Sequence, residues 1–221
     1  MVDPASRDET EHIARARADL VQVRAFDDFA SQRNAALALA TGDWIFAVDA
    51  DERSSPAQAE EVRRLIRTGE SPHVGFRVPI RSEILGRPFR FSGTQLDRPL
   101  RLFRRDSGRW VGAVHETVAI AGEIGQLSVP LTHRTIPDMR TFLEKINEYT
   151  SLAAIEDARA GRSAGFLDLA ARPIWAFAKL YLGRQGFRDG PEGLVFCGLS
   201  GVSVAVRYWK LRELTRGGRA A

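Results

Sequence analysis

Ile45-Phe46-Ala47-Val48-Asp49-Ala50-Asp51-Glu52 runs an apolar stretch into three carboxylates within four residues. Residues 44–48 have strand length and no polar position, the pattern of a strand buried on both faces. Ligands of open α/β sheets bind beyond the carboxyl ends of the strands. In an extended chain, Asp49 and Asp51 point to the same side. Two hard oxygen donors with the remaining positions open suit Mg²⁺ or Mn²⁺ carrying a diphosphate. A solvated acidic turn at a strand end has the same composition.

On the N-terminal side, residues 8–18 read as a helix with acidic residues at its start, and residues 20–25 alternate as a short strand. Residues 29–40 are rich in Ala and Leu and read as a helix closed by Thr41-Gly42. On the C-terminal side, Pro56 opens a helix to about residue 67, with Ser55 as its N-cap. This alternation predicts an α/β sheet. From residue 74 the character changes. Residues 74–80, 88–91, 100–104, 116–120 and 126–132 are strand-like and separated by Gly and Pro, which predicts a mixed or antiparallel extension. Residues 138–160 then place Phe142, Ile146, Tyr149 and Ala153 on one face of a long amphipathic helix. Residues 166–182 and 191–214 are two more helical segments, joined at Gly186-Phe187-Arg188-Asp189-Gly190, and residues 216–221 read as a frayed tail. The expected division is a catalytic domain over residues 1–137, a helical extension over 138–215 and the tail.

The chain has 221 residues, 44% hydrophobic and 27% charged, an ordinary globular composition that argues against disorder. One cysteine, Cys197, excludes an internal disulfide framework and a cysteine-rich zinc module. No stretch approaches about 20 unbroken apolar residues, and no apolar leader follows Met1, so the expected compartment is the cytosol. The charge is divided unevenly. Ten basic and four acidic residues follow Ala160, a net +6, whereas the first 160 residues carry 22 basic and 24 acidic residues, a net −2. A basic, apolar C-terminal segment on a near-neutral body points to an anionic partner surface.

Two chemistries use Asp-x-Asp after a buried strand. A phosphatase of the haloacid dehalogenase type takes the first Asp as nucleophile and the second as general acid. It wants Thr or Val two residues past the second Asp, where this chain has Arg53, and a phosphate-site lysine, whereas the lysines here are Lys145, Lys179 and Lys210. The other is a metal-dependent nucleotide-sugar transferase. Phe26-Asp27-Asp28-Phe29-Ala30-Ser31-Gln32-Arg33-Asn34, Gly42-Asp43-Trp44-Ile45 and Asp49-Ala50-Asp51-Glu52 occur in the order and spacing of family 2 glycosyltransferases. The series continues through Arg101-Leu102-Phe103-Arg104, Val114-His115-Glu116, Lys145-Ile146-Asn147-Glu148-Tyr149-Thr150 and Arg172-Pro173-Ile174-Trp175 to the Gly186–Asp189 turn. Over nearly its whole length the chain resembles the subgroup that acts in lipopolysaccharide core synthesis.

The resemblance implies a GT-A fold, a Rossmann-like nucleotide-sugar transferase sheet, and inverting transfer from a nucleotide-activated sugar, a UDP-sugar, to a lipid-linked glycan. It implies Asp51 on a divalent ion, Mg²⁺ or Mn²⁺, with Asp49 nearby on the ribose or the ion. Glu116 is the candidate base, and His115 a ligand of the metal or a contact of the diphosphate. Arg33 is a candidate contact of the donor diphosphate. A zinc-protease reading of His115-Glu116-Thr117-Val118-Ala119 fails for want of the second His. Arg101, Arg104 and Arg105 with Phe103 read either as a nucleic-acid patch or as a basic β-hairpin rim near an anionic donor or phosphorylated acceptor, and no nucleic-acid partner is expected. His12, His73 and His133 read as structural or exposed.

Val2-Asp3 to Thr10 resembles the segment after the family's second strand, in which the first Asp, here Asp3, helps hold the base. By that alignment the sheet lacks its first strand–helix–strand, about 30 residues by ordinary element lengths. The expectation is then poor stability and weak donor binding for the chain from Met1. At the other end, residues 194–206 are largely apolar but, as a helix, span only about 20 Å. Flanked by Arg, Lys, Trp and Tyr, they resemble an interfacial anchor. Peripheral association with the inner face of the cytoplasmic membrane is expected. The non-enzymatic alternative is a membrane-peripheral interaction module that kept the fold without turnover.

Overall fold

The computed structural model describes residues 1–3, 5–68, 71–112 and 116–217. In chain order the elements are β1 (Val2–Asp3), α1 (Thr10–Arg15), β2 (Gln22–Val23), α2 (Phe29–Leu39), β3 (Trp44–Phe46), β4 (Glu52–Arg53), α3 (Pro56–Thr68), β5 (Gly75–Arg77), β6 (Ile80–Ile84), β7 (Arg87–Pro88), β8 (Leu100–Arg104), β9 (Gly108–Val111), β10 (Thr117–Ile120), β11 (Ile124–Gln126), β12 (Leu131–Ile136), α4 (Met139–Arg159), α5 (Phe166–Ala178) and α6 (Gly190–Gly217). They group into two compact units. One comprises residues 1–50, 54–79 and 98–131, the other residues 51–53, 80–97 and 132–221.

The first unit is built on a four-stranded sheet of order β11-β5-β8-β3, in which β11 and β5 are parallel and β8 runs antiparallel to both β5 and β3. β8 is an inner strand. Leu102 and Phe103 are fully buried on opposite faces, so the strand is covered on both sides. Phe103 meets Trp110 of β9 edge to face, with Ala30 of α2 in the same cluster. Gly108 permits this approach, because a Cβ there would lie 2.6 Å from the Phe103 ring. β9 pairs antiparallel with β10, and β1 pairs in parallel with β2 as a separate two-stranded sheet. α3 starts where the sequence predicts it, with Ser55 Oγ accepting from Gln58 N. It is tied down by Glu61, which accepts from Ser128 N, Ser128 Oγ and Val129 N.

The strand ahead of the carboxylates departs from expectation. β3 is three residues long and half-buried, and it pairs with β8 at the end of the sheet order. Its composition is apolar on both faces because each face packs on side chains. Ile45 joins the Phe103–Trp110 cluster, and Trp44 stands 6.0 Å from the Phe76 ring. Two further differences have local causes. The strand expected over residues 126–132 splits into β11 and β12 around Ser128-Val129-Pro130, where Val129 O instead accepts from Gln58 Nε2 and Pro130 has no N–H for a ladder. β9 was not expected, since Gly108-Arg109-Trp110-Val111 gives too short an alternation to register.

The second unit pairs β4, β12, β6 and β7 in that order and covers them with α4 and α6. α4 is capped by Asp138, which accepts from Thr141 N at 2.8 Å. Its inner face, Phe142 and Ile146, closes a core with Ile84, Phe89, Ile136 and Phe196. Polar groups lock the helices together. Buried Asp157 takes Arg162 and Arg207, and Lys210 Nζ lies within 3.0 Å of Asn147 O, Asn147 Oδ1, Thr150 Oγ1 and Ser151 Oγ. The Gly186–Asp189 turn is a clamp: Asp189 accepts from Arg90 N, Phe91 N and Ser92 Oγ. Of the tail expected over residues 216–221, residues 216 and 217 are helical and the others lie outside the described residues.

Candidate active site

Four charged side chains meet in the first unit. Asp28 caps α2 by accepting from Ser31 N and Ser31 Oγ, which sets the helix phase so that Arg33 and Asn34 face the sheet side. Asn34 forms a two-way bond with the backbone of Trp110, Nδ2 donating to its carbonyl at 2.9 Å and Oδ1 accepting from its N–H at 3.1 Å. The docking brings the Arg33 guanidinium over the Trp110 ring, 4.6 Å from its centroid. From there Arg33 Nη2 reaches Asp49 Oδ1 at 2.7 Å, and Nε and Nη2 both reach Glu116 Oε1 at 3.2 Å. Arg101 of β8 holds the other Asp49 oxygen, Oδ2, at 2.6 Å. All four side chains are shielded, Arg101 most of all at 10% exposure, so these contacts are stronger than surface pairs.

In the second unit Asp51 sits at the turn into β4. Pairing of β4 with β12 places Glu52 opposite His133 and Arg53 opposite Thr132, and Arg134 N donates to Asp51 O. His133 Nε2 therefore lies 3.0 Å from Asp51 Oδ2, the imidazole N–H donating to the carboxylate. This bond raises the His133 pKa above its ordinary 6.5 and lowers that of Asp51 below 3.8, against the opposing effect of partial burial on each.

The two shifts act at opposite ends of the pH scale. The His133 contribution to stability is complete below 6.5, its unfolded value, and is lost as pH rises through the raised folded value. The Asp51 contribution is complete above 3.8 and is lost as pH falls through the lowered folded value. In chelator-containing buffer the melting temperature should decline as pH rises above about 6.5, and His133→Gln should remove that decline. Superimposable profiles for the two proteins would show that the pair contributes no stability.

Of the residues expected from sequence, Arg33, Asp49 and Glu116 come together in one cluster. Asp51 has its own partner in the other unit. Asp3 contributes backbone to β1, but its side chain lies outside the described residues, as does all of His115. Two residues were missed. Arg101 is an arginine set between buried Leu100 and Leu102, and a buried guanidinium requires a carboxylate. His133 gave no signal, since only the β4–β12 register brings it to Asp51. Among the described residues no group of three or more His, Cys, Asp or Glu side chains forms a cation cage. Asp51 offers an oxygen donor that His133 orients, which fits a divalent ion, Mg²⁺ or Mn²⁺, that takes its other ligands from diphosphate and water.

Comparison with known proteins adds the following. The sequence signature described as Glycosyl transferase family 2 matches residues 1–118. The lipopolysaccharide core biosynthesis glycosyltransferase LpsC of Rhizobium meliloti is 30% identical over 223 residues, covering 94% of this chain and 82% of that protein. Uncharacterized glycosyltransferases of Rickettsia typhi and Rickettsia prowazekii are each 24% identical, over 97% of this chain and 77% of their own length.

Proposed function

The chain belongs to glycosyltransferase family 2, a family of transferases with the mixed α/β GT-A fold, and from that membership we propose that it moves a sugar, with inversion, from a UDP-sugar to a lipid-linked glycan such as lipopolysaccharide core. The observation that carries the reading is the bridge between carboxylates 67 residues apart in sequence, with Arg33 between Asp49 and Glu116. In this reading Asp3, Arg33 and Asp49 hold the donor. Asp51 holds a divalent ion, Mg²⁺ or Mn²⁺, with His133 beside it and His115 as the further donor expected from sequence. The ion, when bound, neutralises charge on the leaving diphosphate. Glu116 takes the proton from the acceptor hydroxyl as that oxygen bonds to the anomeric carbon and the carbon–diphosphate bond breaks on the opposite face. A lipid-linked acceptor places the work at the inner face of the cytoplasmic membrane, with the protein as a peripheral component.

The test is nucleotide release from a panel of nucleotide-sugars, with and without a lipopolysaccharide-core acceptor and with and without chelator. Acceptor-stimulated, chelator-sensitive release of UDP is the expected result. Phosphate release from simple phosphomonoesters would favour the phosphatase instead, a reading disfavoured because Asp49, its nucleophile, has an arginine on each oxygen. Indifference to every donor would leave an interaction module.

A further inference from the structure

We propose that the outward face of α5, continued by Leu182 in the wide helical turn Lys179–Gly183, is the surface by which this protein lies on an anionic membrane. The inference rests on the lipid-linked acceptor proposed above and identifies the element that meets the lipid. Phe166, Leu167, Ile174 and Trp175 are each between 69% and 77% exposed, and Leu182 is 63% exposed. Monomeric soluble proteins rarely leave so many large apolar side chains together in water. At 100° per residue, Leu167, Ala171, Ile174 and Trp175 form one stripe about a third of the helix wide. The opposite side is already used: Gly201 of α6 packs so closely that a Cβ there would lie 3.0 Å from Pro173 O and 3.4 Å from Phe177 Cβ.

Charge identifies the occupant. Arg172 and Lys179, seven residues apart, are both exposed and lie along one edge of the apolar stripe, Arg172 with its guanidinium on Asp168 of the same helix. They belong to the segment after Ala160 whose net charge is +6. An apolar stripe with Trp175 and basic residues along one edge fits a bilayer of anionic headgroups, and a second copy of so basic a segment would be repelled. The location differs from the sequence expectation of an anchor at residues 194–206. In α6 Cys197 is fully buried, and Arg207 and Lys210 bind α4. The span Gly186–Arg216 is apolar and long enough to cross a membrane by length and composition, and Leu194, Val202 and Trp209 are exposed on it, while those contacts hold its other face against its own unit.

The test uses the full chain and no sugar donor, so its outcome is independent of the transfer assay. Co-sedimentation is measured with vesicles of phosphatidylcholine alone and with about 30% phosphatidylglycerol added. Binding to the anionic vesicles, weak binding to the neutral ones, and release at about 0.5 M salt are expected. The double variant Ile174→Glu with Trp175→Glu should bind at least about ten-fold more weakly at unchanged circular dichroism. Ile13→Glu, at an exposed apolar site in the other unit, should bind like the parent. Absence of binding, salt-insensitive binding to both vesicles, or equal loss in the control would overturn the proposal. So would a parent dimer that the double variant converts to a monomer.

Discussion

Glu116→Gln should lower kcat by roughly 10²–10⁴-fold while leaving the donor KM within a few-fold of the parent value. A base acts on the acceptor proton in the transition state, so its loss falls on turnover and not on donor binding. The amide is isosteric and can still accept from Arg33, and Arg33 keeps its contact with Asp49 at 2.7 Å, so the cluster should persist. Steady-state kinetics with the donor varied at saturating acceptor give both parameters, and unchanged circular dichroism excludes unfolding. A variant within a few-fold of the parent would move the base elsewhere, with buried Glu52 next to be replaced.

The second large effect is expected at Asp51. Asp51→Ala should lower transfer by more than about 100-fold and should weaken donor binding only when Mn²⁺ or Mg²⁺ is present. Donor titration by calorimetry, with metal and with chelator, separates the two conditions. In chelator the variant and parent should bind the donor alike. His133→Ala should give a smaller loss, about 10–100-fold in Mn²⁺ affinity, whether the imidazole touches the ion or only orients Asp51. Equal parental activity with and without chelator would remove the metal from the reaction.

The part of the site carried by sequence is the part that is local. Asp49 and Asp51 follow an apolar strand, Arg33 stands near the start of an Ala- and Leu-rich helix, and Glu116 opens the short strand-like run that the family resemblance singles out. Each lies in a short contiguous motif of the kind the resemblance rests on. Arg101 and His133 were passed over because their partners, Asp49 and Asp51, are 52 and 82 residues away. Arg101 looked like one member of a basic rim. It is instead nearly enclosed, because β8 is an inner strand of its sheet.

By itself the sequence determined whatever depends on short range. The helices over Phe29–Leu39, Pro56–Thr68 and Met139–Arg159, the cap Ser55, and strand Leu100–Arg104 follow from periodicity and hydrogen bonds spanning a few residues. Only the tertiary structure decided which charges pair, which apolar runs are covered and which are left in water. The register of β4 on β12 chooses His133 for Asp51, and a shift of one residue would turn that side chain to the other face. The apolar runs of α5 and α6 look alike in composition. One face of α5 remains exposed, whereas α6 leaves Leu194, Val202 and Trp209 in water and buries Cys197 and Leu211, because α6 packs against both α4 and α5, and α5 packs on α6 along one side. Composition gives the amount of apolar surface, and packing decides which part of it meets solvent.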